Sequence, residues 1–525
     1  MSAEISAKPG RTGLPKAWRY TLVFLGLILL VAGFYGEEHW RGRRAWEKYQ
    51  ASLVARGEPV EKSQLIPPPV SDVENFAMTP FLAPLYDFLP GTQKWRDTNG
   101  FSRAQNFAAD FNKAVSAMKH PKVAHTNSWV LPVTDFSEWN LAFHDKPGTQ
   151  TVSNGQRNAG DDAKAVLVAL APYGPILEEI QEASRRPYSR FNMKYDEGNP
   201  TIVLLPHLAV LKQLTQILQL RASVELATGQ TGQAFQEVEL MLHLVNATRN
   251  EPILVSLLVR LSETQLALQV IEQGLRDNRW SDQQLSVLQQ RLQSLDFCAD
   301  ARRALQGERV VFGDGLIDYF RASKNQVNTI QGLTGGNGQP DGGFEPSSIL
   351  LALVPSGWFY FEKLNFERVL VDETAPILGT GRHISPGAVQ RHDRNLQAIV
   401  GKGGLRAVFQ HKVFLSLLVP ATSKVARRTA YSQEAVDLAV VACALERYKM
   451  KEGRYPEKLD AVSPHYLSKV PSDIITGQPL NYRLTEGNTY KLYSVGWNEK
   501  DDGGVVSMSQ TGWTVNEGEG DWVWR

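Results

Sequence analysis

The sequence predicts a mainly α-helical chain, with a single N-terminal transmembrane helix, a helical-bundle body and a small C-terminal α+β module. Three observations predict this class. An uncharged apolar run lies near the N-terminus, apolar residues recur at three- and four-residue spacing through the middle of the chain, and short alternating stretches follow near the C-terminus. Apolar residues at helical spacing give a helix one face to bury, whereas alternation is typical of strands.

The composition is that of an ordinary globular protein. At 525 residues, with 42% hydrophobic and 21% charged residues, the chain is long enough for several domains. Its formal net charge of +1 gives no sign of the dense basic patch that a nucleic-acid-binding surface needs, so no nucleic-acid partner is expected. Cys298 and Cys443 are far apart in the sequence and fit no zinc-site spacing. We expect two buried thiols.

The predicted transmembrane helix covers residues 20–36, YTLVFLGLILLVAGFYG, a run without a charged side chain. As a helix it would be about 26 Å long, at the short end of what crosses a bilayer. Aromatic side chains flank the run at both ends, as is typical of the two membrane interfaces: Trp18, Tyr20, Tyr35 and Trp40. The sequence therefore predicts one membrane span.

The orientation of this span is less strongly indicated. Basic residues stand on both sides, so the positive-inside rule only weakly favours a cytoplasmic tail formed by residues 1–19. On that orientation the rest of the chain lies outside the cytoplasm. A cleaved signal peptide is the alternative, since a basic start and an apolar core also describe one. The run ends in Gly-Phe-Tyr-Gly without a clear small-x-small cleavage site, which favours the anchor.

Two less regular regions follow. Residues 37–69 are predicted to form a charged juxtamembrane helix, ended by Pro59, and then a stiff segment at Pro67–Pro69, because proline lacks the N–H that a helix needs. Residues 70–160 are rich in aromatic residues, Asn, Pro and Gly and show no sustained period. We expect loops, short helices and one or two strands packed on the body.

The helical body is predicted over residues 161–330. Leu, Val, Ile and Ala recur at helical spacing, and short turns such as the one at Gly229 favour antiparallel helix pairs. Ser281 and Gln284 form a capping box for one further helix. The pair around Gly229 is similar to a tetratricopeptide unit. No second copy follows at a fixed period, so a helical bundle with short turns is favoured over a repeat array.

Residues 331–346 are predicted to be a flexible, glycine-rich loop; no Lys-Ser/Thr pair follows them, as a phosphate-binding loop would require. Residues 347–430 are assigned to further helical segments. Within them the apolar run 348–361 contains Pro355 and is short for a membrane span. A buried core segment or an interfacial helix is favoured over a second crossing.

The C-terminal module is predicted over residues 431–525. A helix over 432–450 ends at Gly453, and Tyr455-Pro456 makes a turn. Residues 481–484 and 489–495 alternate as two strands of a hairpin. The sequence then continues through GWNEKDDGG, which we call the acidic loop (residues 496–504).

This order of features resembles the C-terminal domain of the major pseudopilin of type II secretion systems. That family has a long helix, G-x-Y-P, a Pro-x-Asp turn with G-x-P, strands ending in Y-x-L-Y-S-x-G, and an acidic glycine loop. The resemblance covers about a fifth of the chain. It is carried by Gly453, Tyr455, Pro456, Pro471, Asp473, Gly477, Pro479, Tyr490, Leu492, Tyr493, Ser494, Gly496, Asp501 and Asp502.

The resemblance implies a calcium ion in the acidic loop, because that loop binds calcium in pseudopilins. Calcium takes six to eight hard oxygen ligands, and a glycine-rich loop can fold around the ion to supply them. The candidate ligands are Asp501, Asp502 and Asp521. The alternative is that Asp-Asp-Gly-Gly is a solvated turn, with Asp521 exposed near the terminus. The resemblance also favours a bacterial inner-membrane protein with most of its chain in the periplasm.

The N-terminal helix departs from the pseudopilin pattern. Gly33-Phe34 lies at the wrong end of the apolar run, and Glu37 and Glu38 follow the helix instead of entering it. Pilin-type processing and polymerisation are therefore not expected. The whole chain is similar to large uncharacterised membrane proteins of the Verrucomicrobia and Planctomycetes, a resemblance that implies no activity.

The sequence lacks H-E-x-x-H, G-x-S-x-G, G-x-G-x-x-G and Walker patterns. The best candidate for a hidden site is His383 and His392 with Asp393, although their spacing and the neighbouring arginines are more typical of a solvated basic loop. The leading hypothesis is a non-enzymatic, membrane-anchored interaction protein with unidentified protein partners. An envelope hydrolase and a component of a secretion or pilus-like machine are the alternatives.

Overall fold

The structure is a computed structural model. It describes residues 16–89, 92, 94–118, 135–144, 159–195, 203–322, 354–379, 381–400, 409–418, 422–510 and 514–525. Helices account for 67% of the described residues, an apolar helix lies near the N-terminus, and a small sheet region lies near the C-terminus. The prediction of a mainly α fold is confirmed at this level. Most of the predicted tail, the glycine-rich loop 331–346 and part of the apolar run 348–361 lie outside the described residues.

The first helix, α1 (Lys16–Ala55), joins the predicted membrane span and the predicted juxtamembrane helix in one continuous rod of 40 residues. It is long and apolar enough to cross a membrane, and its apolar window is fully exposed. The helix ends just before Gly57, whose positive φ of 75° breaks the helical path before Pro59 is reached. The second half of α1 packs against the body.

The region before the body contains short helices joined by turns. Two isolated bridges occur within its described part, between Phe88 and Trp95 and between Asn75 and Tyr188. Its helical elements are the 3₁₀ turns Lys62–Gln64, Asp72–Glu74, Phe76–Met78 and Ala83–Tyr86, and the helices α2 (Thr98–Asn106), α3 (Ala109–Ala117) and α4 (Phe136–His144).

The body consists of packed helices with buried apolar faces. Gly229, with a φ of 81°, turns the chain between α7 and α8, and the capping box of Ser281 and Gln284 at the start of α10 is confirmed. The tetratricopeptide interpretation stays a prediction. The helices are α5 (Ala159–Leu170), α6 (Gly174–Ala183), α7 (Pro206–Ala227), α8 (Thr231–Ala247), α9 (Leu254–Arg276), α10 (Asp282–Gln293), α11 (Phe297–Gly307) and α12 (Asp314–Ala322).

Helix α9 is a second segment long and apolar enough to cross a membrane, but 56% of its apolar window is buried in the body, as in a core helix of a soluble domain.

Both cysteines are free and buried, and burial raises the pKa of the thiols of Cys298 and Cys443 to about 12. The prediction of two buried thiols is therefore confirmed.

In the described ranges between residues 354 and 418, three α-helices follow the body: α13 (Ser356–Arg368), α14 (Pro386–Val400) and α15 (Val413–Leu418). Helix α13 packs along the second half of α1, where Trp46, Tyr49 and Leu53 form a small separate core with Leu364. A π-helical segment, Val369–Thr374, continues α13, and another, Glu308–Gly313, joins α11 to α12. Arg309 of the latter segment forms a buried ion pair with Glu367, at 2.5 Å between Nη1 and Oε2.

The last helix, α16 (Thr422–Glu452), begins ten residues before its predicted start. It contacts both the helical body and the C-terminal module. It packs against α9, α10 and α11 on one side and against the C-terminal sheet on the other. Its side chains are almost all buried from Val425 to Glu446. One continuous hydrophobic core therefore runs from the helical body into the module.

The strands of the module form two small sheets. The first has the order β1 (Asn481–Thr485), β2 (Thr489–Ser494), β5 (Trp522–Val523), all antiparallel. The second pairs β3 (Val506–Met508) with β4 (Val515–Gly520). The turn between β1 and β2 lies at residues 486–488, where a hairpin is predicted from the sequence, and Thr485 pairs with Thr489.

Candidate functional site

A cleft of about 440 Å³ lies where the module meets the helical body. Its walls come from the end of α10, the segment before α14, one turn of α16 and the loop between the 3₁₀ turn Leu459–Val462 and β1. A second cleft of about 610 Å³ adjoins it across residues 469–472, which line both. The first cleft is lined by Gln293, Arg382, His383, Asp437, Val440, Lys469, Val470, Pro471, Ser472, Asp473 and Gly477.

Arg382 connects three parts of the fold at one edge of the cleft. Its Nη1 donates to Oδ1 of Asp437 on α16 at 3.2 Å, and its Nη2 donates to the carbonyl oxygen of Leu295 at 3.2 Å. Its Nε lies 3.7 Å from Oδ2 of Asp296. Because a guanidinium presents several donors in a fixed plane, these contacts hold the side chain in one orientation.

His383 is the neighbouring residue in the cleft wall. Its Nδ1 lies 3.1 Å from the carbonyl oxygen of Ile474, which also accepts from the main-chain N–H of Ile384. A carbonyl oxygen only accepts, so Nδ1 carries the proton and Nε2 is the acceptor of the neutral ring. The segment before α14 is thereby tied to the loop of the module.

His392, the second member of the predicted histidine pair, lies elsewhere. It is a buried residue of α14, its Nε2 is 3.5 Å from Oγ1 of Thr374, and burial lowers its pKa. It does not line the cleft. The structure therefore places His383 in a cleft and His392 in the packing of α14, and does not join them with Asp393 in one site.

Two acidic side chains of α16, Glu434 and Asp437, are buried one helical turn apart, and of the two only Asp437 lines the cleft. Oε2 of Glu434 accepts from the main-chain N–H of Ile474 at 2.8 Å, whereas its Oε1 has no hydrogen-bond partner within the described chain. Burial, with the charges of Asp473 and Asp437, raises the pKa of Glu434 well above its usual range. Burial also raises the pKa of Asp437, to about 6, against the opposing effect of Arg382.

Asp473 shapes the loop that separates the cleft from the sheet. Its Oδ1 accepts from the N–H groups of Ile475 and Thr476 at 2.7 and 3.0 Å, and its Oδ2 accepts from Val495 at 3.2 Å. The carboxylate thus closes its own turn and fixes that turn to the end of β2. Asp473 has a structural role in the wall of the cleft.

Most of the residues that line the cleft have polar or charged side chains. The guanidinium of Arg382 lies beside the carboxylate of Asp437, and Lys469 lines the same cleft, so the lining carries both signs of charge. Ser472 supplies the sole hydroxyl group of the lining, and within the described contacts it makes no hydrogen bond to His383. Nucleophilic catalysis needs a nucleophile within hydrogen-bonding distance of a base.

The three predicted calcium ligands are held by the protein's own donors. Asp521 is buried; its Oδ1 accepts from the N–H of Asp502 at 3.2 Å, and its Oδ2 accepts from Gly504 at 2.5 Å and from Val505 at 3.3 Å. Burial raises the pKa of Asp521 in spite of these hydrogen bonds. The buried position of Asp521 differs from the exposed one expected of a solvated turn.

The other two carboxylates also have partners. Oδ1 of Asp501 accepts from the Tyr493 hydroxyl at 3.0 Å, and Oδ2 of Asp502 accepts from the Asn498 side chain at 2.8 Å. In the described ranges no group of three or more His, Cys, Asp or Glu residues is arranged to hold a metal ion. Each of the three carboxylates accepts hydrogen bonds from the protein's own N–H or O–H donors. The geometry lends calcium no support, and the ion stays a prediction.

A buried polar chain joins the irregular region to the helices. The Tyr86 hydroxyl lies 2.5 Å from Nδ1 of His207, whose Nε2 lies 2.9 Å from Oε1 of Glu251, and Ser256 donates to Oε2 of Glu251 at 2.5 Å. Since a carboxylate accepts, Nε2 carries the proton and Tyr86 donates to Nδ1. His207 and Ser256 are completely buried, so a substrate does not reach them in this arrangement. These hydrogen bonds hold the Ala83–Tyr86 turn to α7 and α9.

Three charged residues at the cleft were not predicted from the sequence: Glu434, Asp437 and Lys469. A signal was present, because Glu434 and Asp437 interrupt a stretch of α16 that is otherwise largely apolar. Charged residues in such a position are rarely buried unless they are paired.

No protein-family model, curated protein or solved structure matches this chain.

Proposed function

We propose that this chain is a membrane-anchored, non-enzymatic interaction protein. Helix α1 spans the bacterial inner membrane, and the helical body and the module face the periplasm. The two adjoining clefts bind a segment of a protein partner. Two observations support this periplasmic orientation: the weak charge bias around α1 and the resemblance of the module to a pseudopilin domain.

The observation that carries the proposal is the pair of clefts that share residues 469–472 as a common wall. Each has a volume within the range of small-ligand sites, about 440 and 610 Å³. The groups at the edge of the first cleft are held in place by the fold, since Arg382 and His383 both contact main-chain carbonyl groups. Groups held in this way lose little freedom when a partner binds.

The lining favours binding over hydrolysis. A hydrolase requires an accessible nucleophile, a base that contacts it and a group that orients the base. Ser472 and His383 line the same cleft without this contact, and the linked groups of Tyr86, His207 and Glu251 are buried. The observed arrangement supports recognition of a polar chain segment.

A crosslinking experiment tests this function. A photoreactive amino acid replaces Lys469 in the full-length chain, and the matched control replaces Lys113, an exposed lysine of α3. On illumination of intact cells, position 469 should give discrete protein adducts that position 113 does not give. The charge reversal Arg382→Glu should diminish those adducts. Identical adduct patterns from both positions would exclude the cleft as the partner site.

A further inference from the structure

The membrane-proximal face of the protein carries Trp40, an exposed aromatic side chain of α1, and Phe409, an exposed aromatic side chain that packs on Trp358 of α13. We infer that this face rests on the bilayer surface, with Trp40 and Phe409 inserted in the interfacial layer. The inference builds on the proposed membrane span of α1 and adds a second, peripheral contact with lipid. The partner is the headgroup and upper acyl region of the bilayer.

The position of the interface along α1 follows from its sequence. The uncharged run ends at Gly36, and Trp40 lies one helical turn further, about 6 Å along the axis. Each polar layer of a bilayer is about 5–7 Å thick beyond the hydrocarbon core. The Trp40 side chain is 59% exposed, so it is free to enter this layer. Trp and Tyr are the residues enriched at this depth.

The start of α13 lies at the same level as the end of the uncharged run. The Trp358 indole donates to Oε2 of Glu38 at 3.1 Å, and the Ser356 hydroxyl lies 3.1 Å from Nδ1 of His39. Gly357 has no room for a side chain, because a Cβ would overlap the main chain of Glu38 and His39. The two helices therefore touch within about one turn of the membrane boundary.

Phe409 packs against the start of α13, where that helix contacts α1. Its ring centroid lies 5.8 Å from that of Trp358, and the ring of His411 stacks on Phe361 with the centroids 5.0 Å apart. The side-chain amide of Asn365 on α13 donates to the carbonyl oxygen of His411 at 2.8 Å and fixes the main chain there. Phe409 is nevertheless 66% exposed. A large exposed aromatic side chain held next to a membrane span is suited to contact with lipid.

The test is depth-dependent quenching of a fluorophore on the full-length chain in phosphatidylcholine vesicles. Single labelled cysteines replace Phe409, Val23 within the span, and Val73 on the body; all three native side chains are more than 60% exposed. The native thiols are buried and remain unlabelled. Spin-labelled lipids carry the quencher either near the headgroup or deep in the acyl chain.

The account expects strong quenching of the Phe409→Cys label by the shallow quencher, of the Val23→Cys label by the deep quencher, and no quenching of the Val73→Cys label. Quenching at position 23 with position 409 as unaffected as position 73 would overturn the inference and leave the membrane span intact. Absence of quenching at both 23 and 409 would overturn the span as well. Phe409→Ser should leave the far-ultraviolet circular dichroism unchanged, because the side chain is exposed.

Discussion

The substitution Glu263→Gln tests how the helical body tolerates a buried acid. Glu263 lies on α9, is completely buried, and neither carboxyl oxygen has a hydrogen-bond partner in the described part of the chain. Burial raises its pKa from 4.5 to about 8, because the charged form loses its water without a compensating contact. Arg260, one turn away, opposes this shift but is itself engaged by Asp300 at 2.9 Å.

The sign of the pH dependence follows from this shift. A carboxyl group whose pKa is raised in the folded state stabilises the fold below its unfolded pKa of 4.5, and that contribution is lost as the pH rises toward about 8. The loss is about 1.4 kcal/mol per pH unit, so over this window it amounts to roughly 3–5 kcal/mol. Glutamine mimics the neutral acid and does not titrate. The variant should match the native chain at pH 5 and exceed its stability by a few kcal/mol at pH 8.

Urea unfolding of the full-length chain in detergent micelles, followed by circular dichroism at pH 5, 6, 7 and 8, measures the difference. The matched control is Glu486→Gln in the exposed hairpin turn, which makes the same substitution outside the core. A constant difference between Glu263→Gln and the native chain across the pH range would refute the reasoning. So would a variant that is less stable at pH 8.

Three further predictions concern other parts of the fold. Gly357→Ala should weaken the packing of α13 on α1 by about 1–3 kcal/mol, because its methyl group overlaps the main chain of Glu38. Faster limited proteolysis within α1 or α13 would report the weaker packing. Arg309→Met should cost about 3–5 kcal/mol in urea unfolding by leaving Glu367 buried without its partner, and adding Glu367→Leu should restore part of that loss; strict additivity would contradict this. Calcium binding by the acidic loop requires a melting temperature that rises with calcium and falls again with a chelator; an unchanged value would remove the ion from the account.

Features that depend on local sequence were predicted from the sequence. The capping box at Ser281 needs only a hydroxyl and, three residues later, a side-chain amide, and both are visible in the sequence. The β1–β2 hairpin is similarly local, since its turn lies between two alternating stretches. Helix pairs such as α7 and α8 follow from apolar spacing and a glycine turn. Secondary structure is encoded most clearly where short-range contacts decide it.

The start of α16 was misplaced for a physical reason. The first turns of this helix, TSKVARRTAY, are polar and basic and lack the one-sided apolar stripe of a surface helix. Further along, the helix is buried on all sides, by other helices and by the sheet. A helix enclosed in this way does not need a single apolar face, and its limits depend on partners that are distant in sequence.

The cleft was not predictable from any one stretch of sequence. Arg382, Asp437 and Lys469 are separated by tens of residues and meet only because α16 lies between the body and the module. The histidine pair was predicted on nearness in sequence alone. His383 precedes α14 and His392 lies within it, so the helix carries them into different surroundings. The buried chain of Tyr86, His207 and Glu251 is likewise assembled by tertiary packing.

The claim at the centre of this account is that α1 is a membrane span that holds the rest of the chain. Leu25 and Ile28 lie near the middle of the apolar run and are exposed, so changing both to arginine removes no packing from the body. Each arginine costs about 2.5–3.5 kcal/mol at the centre of a bilayer. Alkaline carbonate extraction of membranes should leave the native chain in the pellet and release Leu25→Arg/Ile28→Arg as a folded soluble protein. Release of the native chain, or retention of the double variant, would contradict the account.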